Sequence, residues 1–459
     1  MKGKTPSFTT RFGFYLAALA SAFGLGNLWR FPYIVAENGG GAFVLLYLLM
    51  VFVVGFSVII AELMLGRLYG YSLLSGLAKL SKQRLVAKKP FPKLPNYIGY
   101  LAMGLATFVL AYYAVISGWV LHFAMQFFVA GFRQDPLNAV DILQSLRGNG
   151  WLQLLLASVH LIFVSVVVSR DFDKGLEKWM GSTAPIFVVF LVFLIGQSLD
   201  LATAPEALRF LLYPDFSKLG WAAPAEALGH VLFTLSLGFG TMVTFGGYLS
   251  KATRDLPSIG FRVASLDAFV SIVAGLLVFP IFLAGPGGRV GPELLFQTVP
   301  VFLGRLQIQP VVAALFFFCL YFAALGASIS LLETVVSNVR GIKGWTRTKS
   351  TWVAGAVSLG VAVLPSLSSS VLQSVEFQGR GVLELLDGFL INWLLPMAAL
   401  GICFVVRHGL SEAAMKKEFI DEQEQENLKM FRHWMFILGW VTPGVILISL
   451  LLQALGLFY

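Results

Sequence analysis

Charge is what this sequence has little of. Of 459 residues only 12% are Asp, Glu, Lys or Arg and 57% are hydrophobic, where a soluble domain carries roughly a quarter charged. So few charges cannot cover the surface of a soluble protein of this length, which excludes a soluble enzyme. Cysteine is nearly absent as well. Cys319 and Cys403 both lie in apolar runs, so they carry neither disulfide nor zinc spacing and read as packed core thiols. Nor does any Ser/His, paired-Asp or His-Glu-x-x-His arrangement mark an intramembrane enzyme.

Long charge-free runs are abundant instead. Eleven cover 12–29, 38–61, 98–130, 151–169, 179–199, 227–250, 263–285 (broken by Asp267), 306–332, 350–375, 388–406 and 434–459. A helix of about 20 residues crosses roughly 30 Å of hydrocarbon. The expected fold class is therefore an all-α polytopic membrane protein with eleven transmembrane helices. The start of the chain, with Lys2, Lys4 and Ala18-Leu19-Ala20, also has the parts of a cleaved signal peptide. We read it as the first span, because cleavage would remove the glycine-rich segment that follows.

The net charge of +9 does not point to nucleic acid, because the basic residues alternate between loops. With the amino terminus inside, inner loops 1–11, 67–93, 170–178, 251–262, 340–349 and 407–432 hold 25 Lys and Arg, against seven in the outer loops. This positive-inside pattern orients the bundle, and the expected location is the cell's inner (plasma) membrane. The amino terminus is then cytoplasmic and, after an odd number of spans, the carboxyl terminus outside. Inner loop 407–433, with interleaved Glu and Lys, reads as a solvated amphipathic segment. Outer loop 284–309 reads either as a short helical hairpin dipping toward the bundle or as an ordinary exposed loop.

Two spans are interrupted alike: the first at Ser21-Ala22-Phe23-Gly24-Leu25-Gly26-Asn27, the sixth at Ser236-Leu237-Gly238-Phe239-Gly240. Glycine permits non-helical backbone, which survives at membrane depth only where it lines a cavity or is buried in protein. Breaks at equivalent places in two five-span halves point to an inverted-repeat transporter with a midplane site. The expected organisation is a single transporter domain over 1–459: repeats 12–199 and 221–408, then an eleventh helix at 431–457. Close-packing glycines between helices are the bland alternative.

Few charges fall inside the runs or break them: Arg30, Glu62, Asp267 and Glu333, with Glu37 and Asp387 at the edges. Each costs about 2.5–3.5 kcal/mol at the bilayer centre unless it is partnered. Asp267, mid-helix, suits a bound cation, with Asn27 and Thr234 as further oxygen ligands; a structural carboxyl is the competing reading. Glu62 and Glu333 either share a proton or hold backbone amides. Arg30 and Asp387, near the outer ends of spans one and ten, are one possible ion pair. Tyr113 by default is a core tyrosine with a hydroxyl partner.

Gly24-Leu25-Gly26-Asn27-Leu28-Trp29-Arg30-Phe31-Pro32 followed by Glu37-Asn38-Gly39-Gly40-Gly41-Ala42-Phe43 resembles the first-helix signature of the neurotransmitter:sodium symporter family. Phe233-Thr234-Leu235-Ser236-Leu237-Gly238-Phe239-Gly240 looks like its sixth-helix signature. The likeness covers residue 7 to Trp440-Val441-Thr442-Pro443 and matches the eleven-span bacterial amino-acid transporters of the family.

The resemblance implies a substrate carboxylate held by amides around Leu25 and Gly26 and by the Tyr113 hydroxyl. The ammonium meets carbonyls of Ala22, Phe233 and Thr234. Gly24 stands where monoamine members carry an aspartate, which favours an amino acid. A pocket of Val109, Phe233, Ser236, Phe239, Ala327 and Leu331 implies a neutral aliphatic one. Phe239 argues mildly against tryptophan. The first sodium site carries over to the Ala22 carbonyl, Asn27, Thr234 and Asp267. Asp267 replaces an asparagine, and Ser271 stands where a leucine-transporting member has a glutamate and chloride-dependent members a serine, so chloride independence is expected.

The second sodium site keeps only carbonyls of Ala20, Phe23 and Ala323, since Gly326 and Ala327 replace its two hydroxyl residues; Ser328 is a displaced substitute, and occupancy is doubtful. The gate implied is Arg30 with Asp387 outside and Tyr248 inside, but Thr5 and Gly341 replace the usual inner ion pair. His230 replaces a common glutamine. The expected function is a sodium-driven, chloride-independent symporter of a neutral amino acid working by alternating access through one intact site. Proton coupling through Asp267 and His230, or an uncoupled transporter-like sensor, is the alternative. Na+ is the only cofactor implied; membrane lipid and the small-molecule substrate are the partners, without nucleic acid, and the oligomeric state is open.

Overall fold

In hydrocarbon a backbone can satisfy its polar groups only within helices or closed barrels, and the computed structural model is built of helices. It describes residues 8, 11–22, 24–88, 90–133, 139–170, 178–249, 255–284, 295–296, 299–300, 309–377, 379–419 and 425–456. Among these, seven unbroken helices are long and apolar enough to cross a membrane. They are span 2 (Gly41–Tyr69), span 3 (Leu94–Arg133), span 4 (Gly150–Ser169), span 7 (Leu256–Ala284), span 8 (Gln309–Lys343), span 10 (Val382–Gly409) and span 11 (Leu428–Gly456).

Four more complete the eleven. Span 1 runs Arg11–Ala22 and resumes at Gly26–Arg30 and Phe31–Glu37; span 6 runs Ala223–Thr234 and Thr241–Tyr248. Span 5 (Lys178–Leu199) turns through 110° into the short helix Ala204–Leu212. Span 9 (Arg347–Ser366) stops earlier than its apolar run. Pro365 and the serines after it end the helix in turns, and an antiparallel hairpin of Glu376–Phe377 with Arg380–Gly381 follows. Ser368 Oγ accepts the Leu383 amide at the start of span 10 at 3.0 Å. Hydropathy counted the leucines there and missed this capping role.

Spans 3, 4, 8 and 9 pack as one group, and spans 1, 2, 6 and 7 as another lying against it. Span 2 meets the second half of span 6 backbone to backbone. A Cβ on Gly66 would sit 2.0 Å from the Val243 carbonyl oxygen, and one on Gly246 would sit 2.4 Å from that of Leu63. Only small residues allow such an approach.

Loop 407–433 differs from its solvated reading. Within it Glu412–Phe419 is a helix whose Met415 and Phe419 are buried. Phe419 stacks on Trp434 with centroids 5.1 Å apart, and Arg67 Nε donates to Glu418 Oε2 at 2.5 Å. Apolar residues four apart make one buried face, which charge counting hides. Of loop 284–309 little is described, but Leu295, Phe296 and Val299 are buried, and Phe296 lies 5.2 Å from Phe123 and 5.8 Å from Trp119 on span 3.

Candidate functional site

Asp267 sits mid-span 7, fully buried, and its carboxylate is surrounded by donors from three other spans. Oδ1 accepts Asn27 Nδ2 at 2.9 Å; Oδ2 accepts Tyr47 Oη at 3.0 Å and Thr234 Oγ1 at 2.9 Å. Ser271, one turn along, accepts Asn27 Nδ2 at 2.9 Å and shares a 2.9 Å hydrogen bond with Tyr47. Asn27 Oδ1 is buried with no hydrogen-bond partner. A buried acceptor without a protein partner, beside a carboxylate, leaves a place for a water or an ion. The donors are carboxylate, amide and hydroxyl oxygens, which suit a hard cation, and among the described residues no three His, Cys, Asp or Glu gather as for a transition metal.

His230 does not reach this carboxylate. Its ring is buried between Phe31, stacked at 5.5 Å, and Tyr47 at 5.4 Å, and neither nitrogen has a hydrogen-bond partner. The alternative of a proton shared between His230 and Asp267 therefore has no hydrogen bond to run through in this conformation.

The two helix breaks face each other beside this cluster. In span 6 the turn is made by Ser236, Gly238 and Gly240 at φ of 54°, 80° and 83°, a left-handed region that glycine enters freely. Glu62 holds the turn, its Oε1 accepting the Gly238 amide at 2.6 Å. In span 1 the Leu25 amide donates to Tyr113 Oη at 2.9 Å. A Cβ on Gly24 would lie 2.5 Å from that oxygen, and one on Gly26 would lie 3.0 Å from Thr234 Cγ2, so neither place admits a side chain without a shift.

Between the breaks lies a cavity of about 20 Å3 lined by Ser21, Gly24, Gly26, Tyr113, Phe233, Thr234, Ser236, Phe239, Ala327 and Leu331. That is room for one water. Tyr113 and Phe233 lie across it with ring centroids 6.3 Å apart, and the hydroxyls of Ser21 and Ser236 bond across it at 2.9 Å. Val109, one turn before Tyr113, is buried but is not among the lining residues. Ala20 and Ala22 lie in the first helix with side chains outside the described residues, and Phe23 is wholly outside them.

Around the second expected ion position, Ala323 is partly buried. Ser328 is engaged elsewhere: its Oγ lies 2.8 Å from Nε2 of the buried His160 in span 4. It therefore points into the group of spans 3, 4, 8 and 9 and is not free as a substitute ligand.

Polar networks sit at both ends of the bundle. At one end Arg30 Nε lies 3.2 Å from Asp387 Oδ2, and its Nη2 donates to Asn392 Oδ1 at 3.2 Å, at the floor of a larger cavity of about 250 Å3. At the other, the end with the Lys- and Arg-rich loops, Tyr248 Oη donates to Glu333 Oε1 at 2.6 Å and Arg347 binds both oxygens of Glu333. The Phe8 amide donates to the Tyr248 carbonyl at 3.0 Å, tying the start of the chain to span 6. A Cβ on Gly341 would lie 2.2 Å from Ser72 Oγ, so a side chain at that place would require Ser72 to shift. The Glu62 and Glu333 carboxylates thus do separate work. Tyr47, Ser21, Asn392 and Arg347 were not read from the sequence; Tyr47 looks like core aromatic, and Arg347 like one more loop cation.

Discontinuous helices around a buried oxygen-rich site, inside a bundle closed at both ends, define a membrane transporter. The chain belongs to the sodium:neurotransmitter symporter family, whose model matches residues 5–135 and 136–457. It is similar to the uncharacterized sodium-dependent transporter YhdH of Bacillus subtilis (strain 168), 29% identical over 453 residues, 98% of this chain and 97% of the relative. To the sodium-dependent neutral amino acid transporter B(0)AT2 of Mus musculus it is 28% identical over 312 residues, 60% of this chain and 40% of the relative. The crystal structure of MhsT in complex with L-phenylalanine aligns with a TM-score of 0.87 at 30% identity, covering 97% of this chain and 99% of that one. The architecture is the family's eleven-span one, two five-helix repeats of inverted topology with broken first and sixth helices.

Proposed function

We propose that the protein imports a neutral aliphatic amino acid by alternating access, driven by sodium through one site and independent of chloride. The carrying observation is the Asp267 carboxylate, ringed by Asn27, Tyr47, Thr234 and Ser271 where the break of span 1 meets span 6. Asp267, Asn27 and Thr234, with the Ala22 carbonyl, hold sodium, and the fixed negative charge does the work of a bound anion. In the second position the carbonyls of Ala20, Phe23 and Ala323 make a weak site at best.

The substrate carboxylate takes the Leu25 and Gly26 amides and the Tyr113 hydroxyl, since a half-helix start presents free N–H groups to an anion. The ammonium takes the carbonyls of Ala22, Phe233 and Thr234. Phe239, Ala327 and Leu331 receive an apolar side chain, with Ser236 at its edge; the packed space at Gly24 excludes the aspartate that a free amine would need. That one relative is named a neutral amino acid transporter and one similar structure holds L-phenylalanine supports the substrate class. Arg30–Asp387 closes the outer side and Tyr248 with Glu333 and Arg347 the cytoplasmic side, with the amino terminus cytoplasmic, as loop charge indicates.

The test is uptake of a labelled amino-acid panel into proteoliposomes under imposed sodium gradients. Expected are concentrative uptake of an aliphatic substrate, a sodium Hill coefficient near one, and no loss when gluconate replaces chloride. Binding without concentrative uptake identifies a sensor instead.

A further inference from the structure

The loop between spans 2 and 3 carries a surface that the transport site does not use. Helix Leu73–Val86 is anchored at its start, where Asn338 Oδ1 of span 8 accepts the Leu74 amide at 2.9 Å. Its far end is built into a firm tip: Arg84 Nη2 donates to the Pro90 carbonyl at 2.6 Å, and Ser81 Oγ to that of Pro92 at 2.6 Å. On this tip Leu85, Val86 and Phe91 are 63%, 84% and 72% exposed, although hydrogen bonds hold the turn beneath them. Lys79, Lys82, Lys88 and Lys93 lie in the same segment, exposed and in no ion pair among the described residues.

No acidic residue occurs in sequence between Glu62 and Asp135. The contrast lies at the same end of the bundle, where Lys416 pairs with Glu412 at 2.8 Å and Arg67 with Glu418. Arg67 and Lys416 are thus paired, whereas the four lysines of the tip have no ion pair among the described residues. Span 3 begins at Leu94, directly after the tip, so the apolar trio lies beside the point where the chain enters hydrocarbon.

We propose that residues 79–88 and 90–93 form a docking surface for anionic phospholipid in the leaflet at this end of the bundle. The lysines meet headgroup phosphates while Leu85, Val86 and Phe91 enter the headgroup–acyl boundary, the pattern of an interfacial basic amphipathic segment. Which leaflet this is rests on the orientation proposed above; the docking chemistry does not.

The experiment is amide hydrogen exchange of the full-length protein in nanodiscs of phosphatidylcholine alone and with about one-third phosphatidylglycerol. Amides of 84–93 should exchange several-fold more slowly in the anionic discs at low salt, and the difference should vanish at high salt. Replacing the four lysines with Gln should abolish the difference, at roughly fivefold in lipid affinity per lysine. Leu85→Ser, Val86→Ser and Phe91→Ser together should reduce it in both low and high salt. Equal exchange in the two discs, an unchanged response in the lysine variant, or the same protection from inorganic phosphate with phosphatidylcholine discs overturns the proposal. All seven substitutions are on exposed positions, and unaltered exchange of span 3 amides verifies that each variant is folded. A failed uptake assay with intact lipid-dependent protection separates the two readings.

Discussion

Asp267 is an acceptor with three donors aimed at it, and Asn27 Oδ1 beside it has none. Replacing Asp267 with Asn keeps the volume and removes the one negative charge of the cluster. A charge-assisted contact is worth about 1.5–3 kcal/mol, so the sodium affinity should fall by roughly tenfold or more. The Tyr47 and Ser271 hydroxyls then lack an anion, and chloride should begin to stimulate uptake that it leaves unchanged in the wild type. Uptake by Asp267→Asn that kept its sodium dependence and ignored chloride would refute the assigned role. Tyr113→Phe removes only the oxygen bonded to the Leu25 amide; substrate affinity should drop about tenfold with the sodium affinity in the absence of substrate unchanged, as measured by equilibrium binding.

At the level of elements, the break in span 6 stands on one side chain. Glu62→Gln keeps an acceptor for Gly238 and should cost at most about 1 kcal/mol, whereas Glu62→Ala strands the amide and should cost about 1–3 kcal/mol; denaturation in mixed micelles ranks them. Arg347 holds spans 8 and 9 together through Glu333, which is fully buried, and its Nε also reaches the Val168 carbonyl at the end of span 4 at 2.7 Å. Arg347→Met alone leaves a buried carboxylate uncompensated, a loss of about 3–5 kcal/mol, while Arg347→Met with Glu333→Met should lose far less. Equal losses for the single and the double variant would mean that the pair is not coupled.

For the molecule as a whole, polar networks of the described residues span the bundle at both ends, and its central cavity of about 20 Å3 falls far below the roughly 300–1,000 Å3 of a ligand pocket. The amino acid proposed as substrate can enter only after the Ser21–Ser236 bond opens and the breaks move apart. A ligand that needs a minor conformer binds more weakly by the population of that conformer. Ser21→Ala removes the competitor for Ser236 and should therefore tighten substrate binding a few-fold, by calorimetry; weaker binding would show Ser21 to be a substrate ligand.

Hydropathy reports a transfer free energy residue by residue, so membrane insertion, the eleven spans, the two breaks and the isolated Asp267 could all be read from the chain. Glycine's freedom and the expense of an intramembrane charge are likewise local properties. What Asp267 touches was not local: Tyr47 is 220 positions away, and Ser21 meets Ser236 across 215. The diversion of Ser328 to His160, the isolation of His230, the buried face of Glu412–Phe419 and the pairing of Arg347 with Glu333 belong to the same class. In each the residue type was visible, but its partner was chosen by how the helices pack. Only the tertiary structure decides that, because packing between helices depends on shape and hydrogen-bond satisfaction across spans, to which composition and periodicity are blind.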